Sequence, residues 1–216
     1  MKNLSNFYNE FCVYLDKEDK QLCVFLIMNA VESGNIQIVE LYEKILAPAL
    51  NDMMERYGEE IFIWNEHVRS SIIRTIIECC YPHVLKRMEK SGTSLSKGKV
   101  LLVCPPEEYH ELGARMGSDF FNLCGYSTVF TGANTPLEVI ISGIVLEKPD
   151  YIVISASNYY NLVAAKRVID AVRSVNSDIK ILACGYAFHK DQALSRSIGA
   201  MAVVNSIGDI LALEGD

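Results

Sequence analysis

A histidine set among carboxylates follows an apolar run: Lys99 to Cys104 (KVLLVC) leads through two prolines into Glu107-Glu108-Tyr109-His110-Glu111-Leu112-Gly113. A neutral imidazole is a good transition-metal ligand. A carboxylate two residues away can accept the ring's other N–H, fix its tautomer and raise its basicity; Glu108 is placed for this. Gly113 would let the following helix approach a ligand closely. Two more stretches follow apolar runs, Ser155-Ala156-Ser157-Asn158 and Cys184-Gly185-Tyr186. Ser155 and Ser157 can bond a buried polar group while leaving room for it, and Gly185 would let a ligand pass against the backbone. Each signal alone has a plainer reading: a solvated loop histidine, a helix cap, turn chemistry. A nucleotide cofactor is disfavoured, because the first loop is not GxGxxG and the chain has no GxxxxGK[ST].

These stretches gain meaning from the elements that must carry them. After about residue 92, short β-branched runs alternate with helical stretches. The expected strands are Lys99 to Cys104, Ser127 to Thr131, Asp150 to Ser155, Ile179 to Ala183 and Met201 to Val204. The intervening helices run over Glu111 to Cys124, from a Thr135-Pro136 start to Glu147, Tyr160 to Val175, Ala187 to Ile198 and Ile207 to Leu213. Near-continuous apolar strands between amphipathic helices imply an α/β, Rossmann-like domain: a parallel sheet of five strands covered on both faces. The flavodoxin-like order 2-1-3-4-5 follows, and it places the three stretches at the carboxyl ends of strands, around the point where the chain reverses direction.

The first 91 residues read differently, as a four-helix bundle. The expected helices run over Ser5 to Leu15, from Asp16–Asp19 to Ser33-Gly34, from an Asn35 cap to Tyr57 with Gly58 as stop, and over Ile63 to Lys90. Pro48 predicts a kink or local break in the third. Residues 1–91 thus form a helical cap domain and 98–216 the α/β domain, joined by the small polar linker Ser91 to Gly98.

Composition narrows the function. A formal charge of −7 without a Lys/Arg cluster argues against direct nucleic-acid binding and against an anionic membrane surface. No run of 18 apolar residues or signal peptide is present. Seven scattered cysteines without a CxxC pair suggest reduced, buried thiols in a cytoplasmic protein.

Glu108-x-His110-x-x-Gly113 resembles the DxHxxG motif of cobalamin-binding domains, with Glu for Asp. Ser155-Ala156-Ser157 resembles the SxL that follows, with Ser for Leu, and Cys184-Gly185 the closing GG, with Cys for the first Gly. The gaps, 41 residues from Gly113 to Ser155 and 26 from Ser157 to Cys184, agree with the family's spacing. The resemblance implies a base-off cobalamin, as adenosylcobalamin or methylcobalamin. His110 would be the lower cobalt ligand, with Glu108 behind it, and the nucleotide tail would lie beside Ser155, Ser157 and Gly185.

Ile45-Leu46-Ala47-Pro48-Ala49-Leu50 with Trp64-Asn65-Glu66-His67 is similar to the bundle of CarH-type light-sensing regulators. The similarity implies that Glu66 and His67 face the upper side of the corrin. The chain departs from that family in two respects. Met54-Glu55-Arg56 occupies the place of its bundle tryptophan, and Trp64, one turn before His67, offers an aromatic surface from elsewhere; the bundle also starts almost at residue 1, without the regulators' DNA-binding domain. A sensor or regulatory module acting through a partner regulator is the first expectation, with homo-oligomer formation possible. A corrinoid carrier serving a separate methyltransferase is the second, and a domain that binds another small molecule or serves only as an interaction module the third. Neither of the first two needs catalytic residues of the chain's own.

Overall fold

The computed structural model describes residues 4–55, 60–188 and 193–213. The chain divides into two compact units, Met1–Arg87 and Met88–Asp216, the division falling within the last turns of a long helix.

The first unit is helical. Helices α1 (Leu4–Asp16) and α2 (Lys20–Glu32) bury Phe7, Phe11 and Leu15, and Cys23 and Ile27, along one stripe each. Asp19 caps α2 by accepting the Leu22 N–H at 3.0 Å. The third rod is α3 (Ile38–Leu41), a π turn over Tyr42–Leu46, and α4 (Ala47–Glu55). The break expected at Pro48 takes the form of this π turn. In a regular helix the Pro48 ring would strike the carbonyl four residues back; widening the preceding turn by one residue relieves that contact. Asn35 does not cap α3. The N-cap is the extended Gln37, and the Asn35 amide donates to the Ser33 hydroxyl at 2.8 Å. Gly58 lies outside the described residues. Helix α5 (Glu60–Ser91) supplies Ile72, Ile73, Ile76, Ile77, Cys80 and Val84 to the core. Polar ties add register: the Tyr8 hydroxyl donates to Asp52 at 2.6 Å, and Arg69 meets Asp16 at 3.2 Å.

The second unit is a parallel sheet of β1 (Lys99–Val103), β2 (Ser127–Phe130), β3 (Tyr151–Ser155), β4 (Lys180–Cys184) and β5 (Ala202–Val203). The order is β2-β1-β3-β4-β5, as the alternating pattern implied. Helices α6 (Leu112–Leu123), α7 (Leu137–Glu147), α8 (Leu162–Val175), α9 (Ala193–Ile198) and α10 (Ile207–Ala212) complete it. Alternate strand residues Leu101, Val103, Ile152, Ile154 and Ile181 pack with Ile140 and Ile144 of α7 and Val168, Ile169 and Val172 of α8. Helix α6 covers the other face, where Gly117 lies over Leu102.

Helix α7 starts one residue later than expected, with Pro136 at its N-cap. The Thr135 hydroxyl pairs instead with that of Thr131 at 2.8 Å. A 3-10 turn at Tyr159–Asn161 precedes α8 and another at Tyr186–Phe188 precedes α9, while residues 189–192 of the expected Ala187–Ile198 helix lie outside the described residues. All seven cysteines are free and five are buried. Among the described residues no helix is long and apolar enough to cross a membrane.

Candidate functional site

Parallel strands align their carboxyl ends, so the loops after β1, β3 and β4 converge at one edge of the sheet. Val103 pairs with Ile154, and Ser155 with Cys184. One residue beyond Val103, Cys104 therefore joins Ser155 and Cys184 in a row across three neighbouring strands. Ser155 thus stands between the two cysteines. Burial pushes the Cys184 thiol up to about 12 and the Cys104 thiol higher still. The row is thus neutral: small, polar and uncharged.

The β1 loop has a demanding conformation. Glu108 N–H closes a turn onto the Pro105 carbonyl at 3.0 Å, with Pro106 and a left-handed Glu107 (φ 69°) at its centre. Asn134, also left-handed (φ 48°), locks this turn from the β2 loop. Its side-chain oxygen accepts Glu107 N–H at 2.8 Å, and its own N–H donates to the Glu108 carbonyl at 2.8 Å. The Glu111 carboxylate accepts Ala133 N–H at 2.6 Å and ties the two loops again. Non-glycine residues at positive φ cost about 1–2 kcal/mol each, so this strain is held by the mutual bonds.

The loop presents Glu108, which is fully buried. One oxygen accepts both the backbone N–H of His110 at 2.8 Å and its ring Nδ1 at 2.9 Å. The other accepts Ser157 N–H at 2.6 Å and the Asn161 amide at 2.7 Å. Burial alone would raise the carboxyl, but these four donors outweigh it and hold the group below the ordinary carboxylate range. The carboxylate is consequently a fixed anion that orients the imidazole. The His110 side chain is 36% exposed, and with Nδ1 held by Glu108, Nε2 is the ring atom that could ligate a metal.

The structure brings Glu108, His110 and Ser157 together, Ser157 through its backbone N–H rather than its hydroxyl, and Asn161 completes the set. It escaped the sequence reading because it lies 53 residues from Glu108 in a stretch legible only as a helix start. Gly113 is exposed, and a Cβ there would meet no atom within 4 Å. Gly185 differs. Its φ is +105°, and a Cβ would lie 2.4 Å from the Ala156 carbonyl oxygen, so the chain's own packing demands glycine there, a reason independent of any ligand. The remaining candidates lie in the helical unit on α5. Trp64 is 68% exposed, and Glu66 joins His67 Nδ1 at 2.5 Å while accepting the Ser70 hydroxyl at 2.7 Å.

Among the described residues no three His, Cys, Asp or Glu side chains gather as a metal site. A single imidazole oriented by a buried carboxylate suits a metal that arrives with most of its ligands already in place. A macrocycle-bound metal meets that description.

A protein-family model described as the B12 binding domain matches residues 98–211. The trimethylamine corrinoid protein of Methanosarcina barkeri is 23% identical over 189 residues, spanning 86% of this chain and 85% of that protein. The solved monomethylamine corrinoid protein of Methanosarcina barkeri superposes with a TM-score of 0.78 at 14% identity, covering 98% of each chain. A methanol:cobalamin methyltransferase complex from the same organism gives 0.51 at 19% identity, over 97% of this chain and 78% of that one. A cobalamin-binding protein from Desulfitobacterium hafniense DCB-2 gives 0.50 at 12%, over 100% and 98%. At these identities the structural likeness establishes the fold.

Proposed function

The chain belongs to the B12-binding domain family and is a cobalamin-binding protein, and from that premise we propose that it is a corrinoid carrier serving a separate methyltransferase. One observation carries the cofactor's placement: a buried, four-fold hydrogen-bonded Glu108 holding the His110 ring by Nδ1. His110 Nε2 would hold cobalt from below in place of the nucleotide's own base. The open space at Gly113 and the neutral row beside Ser155 would receive the tail, with Ser157 and Gly185 at its edge. The cofactor, when bound, would supply the methyl-carrying chemistry. The chain's own residues do the rest: Glu108 fixes the ligand's tautomer, Asn161 fixes Glu108, and uncharged side chains line the tail's path.

The relatives named trimethylamine and monomethylamine corrinoid protein, and the methanol:cobalamin methyltransferase complex, favour the carrier over the light-sensing regulator that the sequence put first. Cobalamin-reconstituted protein separates the two readings. Methyl transfer to a thiol acceptor in the presence of a methyltransferase supports the carrier. A light-driven change in oligomer size of the adenosylcobalamin form, without methyl transfer, would favour the sensor.

A further inference from the structure

In the α/β unit the aromatic side chains of Phe120, Phe121, Tyr126, Tyr151 and Phe188 are buried. Tyr109, Tyr159 and Tyr160 are 66%, 52% and 90% exposed. All three flank the Glu108–His110 couple. Tyr109 stands between its two members in sequence. Tyr159 and Tyr160 occupy the segment whose ends, Ser157 N–H and the Asn161 amide, both donate to a single oxygen of Glu108, at 2.6 and 2.7 Å. A segment pinned at both ends to one atom must bow outward between them, and the 3-10 turn Tyr159–Asn161 sets the form of the bow. The same carboxylate that aims the imidazole therefore also sets out the tyrosines.

Charge narrows what such a rim can receive. Residues 105–111, 155–161 and 184–188 contain no Lys or Arg, and their charged members are Glu107, Glu108 and Glu111. This does not suit a phosphate-rich ligand. Tyrosine offers an apolar ring and a hydroxyl that donates. That pairing suits a broad, flat, uncharged ligand with amide groups on its edge, which is the chemistry of a corrin. Building on the cobalamin reading above, we propose that Tyr109, Tyr159 and Tyr160 form a collar on which the lower side of the corrin rests. Their rings cover its carbon face, their hydroxyls bond its amide edge, and together they keep water from the cobalt–imidazole bond.

Tyrosine nitration with tetranitromethane, mapped by peptide mass spectrometry, tests this on the full chain before and after reconstitution with hydroxocobalamin. The three tyrosines react in the apo-protein and are protected in the holo-protein. The triple variant Tyr109→Ala/Tyr159→Ala/Tyr160→Ala keeps the fold, since all three side chains are exposed, and releases cobalamin on the order of tenfold faster or more. The triple Phe variant falls between it and the parent. Equal nitration with cobalamin bound, or an unchanged release rate in the Ala variant, overturns the collar and leaves the cobalamin reading intact. Failure of hydroxocobalamin to bind the parent chain at all overturns both.

Discussion

Replacing Gly113 by alanine separates what the fold requires from what the ligand requires. Gly113 is the second residue of α6 and is exposed, and its added methyl would meet no protein atom within 4 Å. Alanine is favoured over glycine inside a helix by about 0.8–1 kcal/mol, and by less in the first turn. The apo-protein should therefore keep its stability or gain up to about 1 kcal/mol, a rise in Tm of at most a few degrees. If the cofactor passes against this backbone, the methyl takes space the ligand needs. Overpacking of this kind costs about 1–3 kcal/mol, which weakens binding by about 5- to 150-fold. Thermal melting of the apo-protein and a cobalamin titration followed by absorbance give the two numbers. An unchanged Kd would refute the placement of the ligand at Gly113. A loss of apo stability would refute the open space.

Gly185 should behave in the opposite way. Alanine there forces a methyl to 2.4 Å from the Ala156 carbonyl oxygen at a φ of +105°, so the apo-protein should lose at least about 2 kcal/mol in urea unfolding; a stable variant would contradict this packing. Asn161→Leu removes one of the four donors on buried Glu108 and should cost about 1–3 kcal/mol by the same assay, where no loss would show the contact to be idle. Iodoacetamide at pH 8 should label exposed Cys79 first and leave Cys23, Cys104 and Cys184 until the chain unfolds. Labelling of native Cys184 at the rate of Cys79 would contradict its burial. The Cys184 thiol is raised from 9.0 to about 12, so between those values the unfolded chain ionises a thiol that the fold keeps neutral, and its contribution to stability is lost as pH rises through that window.

The sheet was legible because its strands are apolar runs between turn residues, a pattern that burial on both faces imposes. Strand bounds came within a residue or two, and the order followed from the strand–helix alternation. The Glu108–His110 couple was legible for a local reason: two residues apart, they can reach each other within one loop. Asn161 and Asn134 act across 53 and 27 residues, and only the converged loops reveal what they hold. Pro48 announced a disturbance, but whether a helix kinks, breaks or widens depends on its packing, and here it widened into a π turn. Gly185 was legible as a glycine, whereas its reason, the Ala156 carbonyl, belongs to a neighbouring loop. Nothing in the pair Tyr159-Tyr160 announced exposure, since the same residues at a helix start pack inward as readily as outward.

The central claim is that the His110 imidazole binds cobalt from below. It is tested most directly by electron paramagnetic resonance of cob(II)alamin bound to protein grown with 15N-histidine. An axial 14N splits each cobalt line into a triplet, and an axial 15N splits it into a doublet. The account predicts the doublet, and its loss in His110→Ala. A triplet that persists in the labelled protein would mean that the nucleotide's own base still holds the metal, and the claim would be wrong.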